Sequence, residues 1–416
     1  MENGKDKSPI LIVGAGPVGL FLALLLARSQ IRCRIIDANT SPDRDSTKSI
    51  AYQPSVLPIL QKAGILDAIK NVGIMLKDIA FRRTTTGEIV VKVPTPPNAP
   101  GVLVLPQWKL MAVVETELNK LGVEVERGCK VVKIDDSKTD HVEIIAETST
   151  GERKTFNGQY LVAADGGKSF VRKSLGIAFQ GETLPSQLIA TDVRYPFDKY
   201  GFSHTQFMMD PEHYGLISKM NNEGLWRVSF SVPNTISTKD EIDAALIAKY
   251  DAMFPGPRPL TFEVVNAAPY KSQQLCAETM KKGRVLLVGD AAHRKSPSPP
   301  YQPTNSNPTH AVTNPYGGLG LTTGLFDVTS LSQVLHNITF HNAPDSLLTS
   351  WSDARIEKYH SVTDPISRAA FYRVQDRDLD SICERDPMFK AIKAGKMMPP
   401  PGLATEVEGL EGFVRV

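Results

Sequence analysis

A chain of 416 residues with 41% hydrophobic and 22% charged side chains can bury a sizeable core and, by length, fill roughly two or three domains. A formal charge of +2, with acidic and basic residues interspersed, excludes a polyanion-binding surface, so neither a nucleic-acid nor an anionic-membrane partner is expected. Cys33, Cys129, Cys276 and Cys383 are widely separated and form no metal-like or redox pair, so no metal is expected and a reducing, cytoplasmic setting is the default.

The opening "MENGKDKS" lacks the layout of a signal peptide. The apolar run at 10–27, "ILIVGAGPVGLFLALLLA", has the length of a membrane span, but three glycines and a proline break its first half. It reads instead as a strand over 10–13, a glycine turn and a helix over 18–28. A second strand over 34–36 follows and ends in Asp37. Gly14 permits the tight turn, Gly16 lets backbone approach a pyrophosphate, and Gly19 lets helix and strand pack closely. Pro17 and Val18 open a helix whose N–H groups and dipole favour anions. Asp37 is placed to accept a hydrogen bond from ribose hydroxyls. This motif alone leaves FAD and NAD both open.

Residues 76–104 read as a hairpin, and "QWKLMAVVETEL" as a helix beginning at Gln107. In "QYLVAADGGKSFVRKSLGI" a buried strand over 160–164 delivers Asp165 to its carboxyl end, the side on which open α/β sheets bind ligands. Residues 181–274 change texture. Short alternating or β-branched runs, separated by Pro, Asp, Asn and Gly, predict a mostly antiparallel sheet, with a helix at "KDEIDAALIAKYDAMF" beside it. His204, Phe207, Met209, Tyr214, Trp226 and Phe230 are candidates to line a pocket there, although at period two half of any strand faces away. "RVLLVGDAAH" repeats the strand-then-acid pattern with Asp290, and "PYGGLGLTTGLFDVTSLSQVL" is a glycine-rich turn opening a helix. The C-terminal third predicts helices packing on the nucleotide-binding part, then a loose tail.

These three signatures, in this order and spacing, resemble the group A flavin-dependent monooxygenases, the 4-hydroxybenzoate and salicylate hydroxylase family. The style of "NPYGGLGLTTGLFD" resembles fungal members. The resemblance implies an α/β protein: a Rossmann-like FAD-binding domain (1–75, 105–180 and 275–345), an interleaved antiparallel substrate-binding sheet (76–104 and 181–274), and C-terminal helices with a tail (346–416). It implies FAD as cofactor, NADPH or NADH as reductant and O2 as co-substrate. Hydroxylation of a small aromatic or phenolic molecule would proceed through a flavin C4a-hydroperoxide, in a monomer or homodimer. No catalytic side chain is assigned, because the protein's part is to bind, orient and exclude water.

By the same resemblance Asp37 would hold the adenosine ribose, Lys48 and Asp165 the pyrophosphate region, and Val131 the adenine through its backbone. Gln107 would meet the ribityl or phosphate, and Asp290 the ribityl chain. Pro315, Gly317, Gly318, Leu319, Gly320 and Leu321 would face the flavin pyrimidine edge. Plainer readings stand beside these: Lys48 as a surface charge, Gln107 as a helix start, Asp165 as a helix cap, and His293 as structural. Lys48 replaces a usual Arg, losing its bidentate fork, and Thr322 replaces a usual Asn. A flavin-fold oxidase or reductase and a catalytically silent flavin-fold protein remain as alternatives. A halogenase is disfavoured because there is no W-x-W-x-I-P pattern.

Between the two halves of the last signature lie residues 294–311, with prolines at 297, 299, 300, 303 and 308. In relatives the halves nearly adjoin. The segment reads as a substrate lid, a neutral excursion or a retained intron. Arg-Lys-Ser at 294–296 can be encoded with a GTAAGT splice donor, and Ala-Val at 311–312 with an acceptor AG. Removing the span between them keeps frame and restores "GDAAH", a leucine and "TNPYGGLG". Transcript sequencing is expected to show the spliced form as the main species; a main species encoding 294–311 overturns that reading.

Overall fold

A computed structural model describes residues 8–44, 51–96, 100–236, 238–294, 316–396 and 401–414. Its first sheet forms around Ile10–Val13, whose four side chains are all buried. Cys33–Ile36 pairs with it in parallel on one side and Tyr160–Ala163 on the other. Val285–Leu287 and Val125–Glu126 extend the sheet in parallel at its two flanks, and Lys281–Lys282 closes one edge antiparallel. Parallel strands covered on both faces need continuous apolar runs, and the tracts 10–13, 160–163 and 285–287 supply them. The helix Pro17–Arg28 packs between the helices Gln107–Lys120 and Gly320–Phe340. A three-stranded antiparallel sheet of Cys129–Asp135, Val142–Thr148 and Arg153–Gly158 stands beside this body.

The second large sheet has eight strands. Its two longest neighbours, Phe179–Arg194 and Glu263–Ala277, run antiparallel, and Leu225–Pro233, Gly215–Lys219 and Thr205–Met209 follow in order. The hairpin Ile79–Arg83 and Ile89–Val93 completes one edge, joining Thr205–Met209 in parallel. At the other edge His293–Arg294 pairs with Leu275 and Cys276. Val102–Val104, expected with the hairpin, pairs instead with Ile74–Leu76 and Ala51–Tyr52 in a separate small sheet.

Alternation divides the side chains of the eight-stranded sheet between two environments. Trp226, Val228 and Phe230 pack with Met208 and Ile217 against Tyr250, Met253 and Phe254 of the helix Lys239–Met253 and its end. That helix starts with a capping box between Thr238 and Glu241. Leu188, Ala190 and Tyr214 pack on the opposite face with Tyr316, Ala370 and Phe371. Trp226 and Phe230 are therefore corrected from candidate pocket residues to core: both are 0% exposed on the face turned away from Tyr316.

After Gly320–Phe340 the chain continues through Leu347–Lys358, one π-helical turn Tyr359–Thr363, and Asp364–Val374. The short helices Ile382–Arg385 and Pro387–Lys393 pack on the hairpin edge of the eight-stranded sheet, through Phe389 on Phe81. The expected loose tail is tied down. Leu403 and Val407 are buried, and Asn337 exchanges two hydrogen bonds with the Val414 backbone, at 3.0 and 3.2 Å. Among the described residues no helix is long and apolar enough to cross a membrane.

One junction holds the first body together. A Cβ at Gly324 would lie 2.7 Å from Val18 Cγ2 and 3.2 Å from Gly289 Cα, so three chain segments meet where no further carbon fits. Gly324→Ala is expected to lower unfolding stability by about 1–3 kcal/mol. Val18→Ala in the same chain is expected to recover part of that loss, as a double-mutant cycle by urea unfolding would show.

Candidate functional site

The glycine loop is fixed by backbone approach. Gly14 has φ +104°, and a Cβ there would lie 2.4 Å from the Ala164 carbonyl oxygen. A Cβ at Gly19 would lie 2.0 Å from the Gly14 oxygen. Gly16 differs, since a Cβ there meets no described atom within 4 Å. It also serves as N-cap of Pro17–Arg28, with no side-chain cap and no acid in the first turn. An uncapped helix N-terminus opening onto free space is the geometry an anion needs.

Asp37 closes the loop from the side. Its Oδ2 accepts from Ala15 N at 2.6 Å and its Oδ1 from Asn39 N at 2.7 Å. Its own carbonyl accepts from Cys129 N at 2.9 Å. This links the loop to the strand carrying Val131, itself buried. Gln107 is the first residue of its helix, 8% exposed. Asp165 shares the start of the helix Phe170–Ser174 with its N-cap Ser169: Asp165 Oδ2 accepts from Val171 N at 3.1 Å and Ser169 Oγ from Arg172 N at 2.9 Å. Burial pushes its carboxyl up, against hydrogen bonds from Ser169 and the Val171 backbone that pull it down. Its Oδ1 is buried and finds no partner among the described residues. Lys48 and Pro315 lie outside the described residues, as do 295–311 of the insertion.

A second arm comes from the turn Gly289–Ala291, which carries Asp290, half-buried. Gly289 has φ +57°, and a Cβ there would sit 3.0 Å from Val18 Cγ2, so the Asp290 turn rests directly on the glycine-loop helix. The third arm is the turn 317–321. Gly318 has φ +61°, Gln53 Nε2 donates to the Gly317 oxygen at 3.5 Å, and a Cβ at Gly317 would lie 3.2 Å from Ser367 Cα. Leu319 is the N-cap of Gly320–Phe340, again with no side-chain cap and no acid in the first turn. The hydroxyl of Thr322 donates to the Gly318 oxygen at 3.2 Å and tightens this turn.

Tyr316, which precedes the two glycines of this turn, links the third arm to the eight-stranded sheet. Its hydroxyl pairs with Ser231 Oγ at 3.2 Å, and its ring lies 6.0 Å from that of Tyr214 and 6.2 Å from that of Phe371. Tyr214 pairs in turn with Ser186 at 3.1 Å. Burial pushes the Tyr316 hydroxyl up, so it stays a neutral donor. Phe207 reaches the same cluster and stacks on Phe81 at 4.6 Å. Met209 sits deeper, with Ile382 and Phe389. His204 precedes the strand Thr205–Met209, where its Nδ1 accepts from the Lys77 and Asp78 amides at 3.2 Å each. Arg227 is buried and paired with Asp192 at 2.6 Å.

Sequence reasoning passed over Tyr316, the variable position of a motif otherwise read for its glycines. It also missed a buried ionic cluster behind the Asp290 turn. Asp327 pairs with Arg355 at 2.8 Å and with His293 at 3.3 Å, all three 0–3% exposed. His293 stacks on Tyr359 with ring centroids 5.0 Å apart and meets the Cys276 sulfur at 3.4 Å. Its structural reading agrees with this placement.

A model of the FAD binding domain matches residues 7–299. Para-nitrophenol 4-monooxygenase of Pseudomonas sp. strain WBC-3 is 30% identical over 391 residues, covering 92% of this chain and 91% of that protein. The chain belongs to the FAD-dependent aromatic monooxygenases. The 6-hydroxy-3-succinoylpyridine 3-monooxygenase HspB of Pseudomonas putida is 32% identical over 365 residues, 86% of this chain and 87% of that one. The crystal structure of p-nitrophenol 4-monooxygenase PnpA from Pseudomonas putida DLL-E4 superposes with a TM-score of 0.82 at 30% identity, covering 92% of this chain and 94% of that one. The parallel sheet and its glycine loop are thus the Rossmann-like FAD-binding fold of a monooxygenase.

The ionic cluster has a pH signature. Burial disfavours the His293 imidazolium, but the Asp327 carboxylate, with Cys276 alongside, more than reverses this and raises the ring to about 10. Burial would likewise neutralise Asp327, yet His293 and Arg355 hold its carboxyl below the usual range. A folded value above the free value of about 6.5 means that His293 contributes fully below about pH 6.5 and less as pH climbs towards 10. The urea midpoint is expected to fall across that window, and His293→Gln to flatten the fall. An equally steep fall in the variant would assign the slope to other groups.

Proposed function

We propose that this monooxygenase binds FAD across the three arms, consumes NADH or NADPH and O2, and hydroxylates a small phenolic ring. The observation that carries the reading is the convergence of two uncapped helix N-termini, at Gly16 and Leu319, with the Asp290 turn packed on Val18 between them. The group fits the residues present. The open space at Gly16 suits a pyrophosphate, the carboxylates of Asp37 and Asp290 suit hydroxyls of the ribose and ribityl chain, and the 317–321 turn suits the flavin ring. FAD, once bound and reduced, supplies activated oxygen; everything else falls to the chain.

The helix dipole at Leu319 would stabilise negative charge on a flavin ring held at the 317–321 turn. The Tyr214–Tyr316 cluster on the eight-stranded sheet offers aromatic surface and hydroxyl groups, suited to a flat ring bearing a polar substituent. The relatives named for nitrophenol and for a hydroxypyridine support a hydroxylated, monocyclic substrate. Buried apolar walls around that cluster, Leu184, Leu188 and Phe371, keep water from the reacting carbon.

The test is purification with bound flavin, then NADH and NADPH consumption with a panel of nitro-, carboxy- and hydroxy-substituted phenols, with product mass measured. A product heavier by one oxygen atom is expected for at least one phenol. Reductant consumption that yields only hydrogen peroxide across the panel would favour the oxidase or reductase reading, and a colourless protein that takes up no FAD would favour a silent one.

A further inference from the structure

We propose that Asp327, braced by Arg355, is a positioning residue for cofactor binding, fixing the peptide that leads into Asp290 and coupling it to the C-terminal segment 401–414. The inference rests on the reading that the Asp290 turn holds FAD.

Asp327 lies on the helix Gly320–Phe340, one turn beyond Gly324, the residue in contact with Val18 and Gly289. Its Oδ2 accepts the Gly289 N–H at 3.0 Å, so the Val288–Gly289 peptide has its orientation set by a buried charge. Gly289 is in the left-handed region at φ +57°, a conformation with local alternatives of similar energy, and the carboxylate selects one of them. His293, three residues past Asp290, faces the same oxygen, so both ends of the turn converge on Asp327.

An uncompensated carboxylate at 0% exposure is strongly disfavoured. Arg355, also 0% exposed, supplies the compensation at Oδ1 and distributes its remaining N–H groups. They reach the Leu403 carbonyl at 2.8 Å, the Thr323 carbonyl at 3.3 Å and the Thr405 hydroxyl. One guanidinium thus joins the carboxylate behind the turn, the first turn of the Leu319-capped helix and the tail. Trp351 closes the cluster, its Nε1 donating to the Asp327 carbonyl at 3.3 Å and to Ser330 Oγ at 3.0 Å. A core needing only cohesion is served as well by apolar side chains of the same volume. What the ionic cluster adds is a fixed direction for one N–H beside Asp290.

The decisive measurement is the rate of FAD release on dilution of the purified holoenzyme, read by recovery of flavin fluorescence, beside the melting temperature. Asp327→Asn keeps an acceptor for Gly289 but drops the charge; Arg355→Lys keeps the charge but drops the fork. Both are expected to release FAD roughly tenfold faster or more. Met253→Ala, a cavity on the far face of the eight-stranded sheet, is the structural control, expected to lower the melting temperature and leave release unchanged. Release within about threefold of the parent in both folded variants overturns the proposal, as does equal acceleration by Met253→Ala. If Asp327→Asn does not accumulate, Arg355→Lys decides alone. A parent enzyme that holds FAD yet hydroxylates no phenol overturns the functional reading and leaves this one standing. A parent that takes up no FAD overturns both.

Discussion

Backbone meets backbone at the carboxyl edge of the parallel sheet with no room for side chains, and the remaining architecture is arranged around that contact. Gly14 approaches Ala164, Gly19 approaches Gly14, and Gly289 and Gly324 close on Val18. All but the Gly19–Gly14 contact join segments far apart in sequence, so the glycines act as long-range packing residues as much as turn formers. The approach is what lets two helices end, uncapped, at one place. Were either helix pushed outward by a methyl group, its N–H groups would be displaced from the other's, and a single anionic ligand could no longer be reached by both.

Close packing of this kind leaves polar groups stranded inside, and the protein meets that cost locally. Asp37 accepts two backbone N–H groups of the loop region, Asp165 caps the short helix beyond the central strand, and Asp327 is balanced by two cations. All three carboxylates follow or back an apolar strand end, where exposed N–H groups are concentrated. The negative charge is thus consumed by the scaffold at Asp327 and largely so at Asp37. Asp290 lies on the turn itself and is half-buried.

Much of this was legible before any coordinates. Periodicity and glycine placement predict strands over 10–13, 160–164 and 285–288 and a helix from Val18, each within one residue of the observed elements, because continuous apolar runs and a missing Cβ are local properties of sequence. The antiparallel character of the second sheet was readable for the same reason. Facing was not: Trp226 and Tyr214 are both aromatic residues of one sheet region, yet alternation and the position of the helix Lys239–Met253 send them to opposite sides. Nor could pairing at a distance be read. Asp327 and Arg355 sit on different helices, and nothing in "GLFDVTS" or "SDARIEK" marks them as partners. The strand Val102–Val104 was misplaced because its composition fits either sheet and only its partners distinguish them.

The π-helical turn at Tyr359–Thr363 has a consequence for how the site could change over time. Such a turn is an α-helix carrying one surplus residue, and an α-helix advances about 100° per residue. Here that surplus sets the angular phase of everything that follows it: Tyr359, the first residue of the turn, meets His293, Thr363, its last, meets Thr323, and Ser367 and Phe371 beyond it meet Gly317 and Tyr316. Deleting a single residue within the turn would rotate the helix Asp364–Val374 by about a quarter of a circle, leaving the ionic cluster in place while presenting a different row of side chains to the Tyr214–Tyr316 cluster. A one-codon change would therefore re-register one helix against the Tyr214–Tyr316 cluster without disturbing the scaffold beneath.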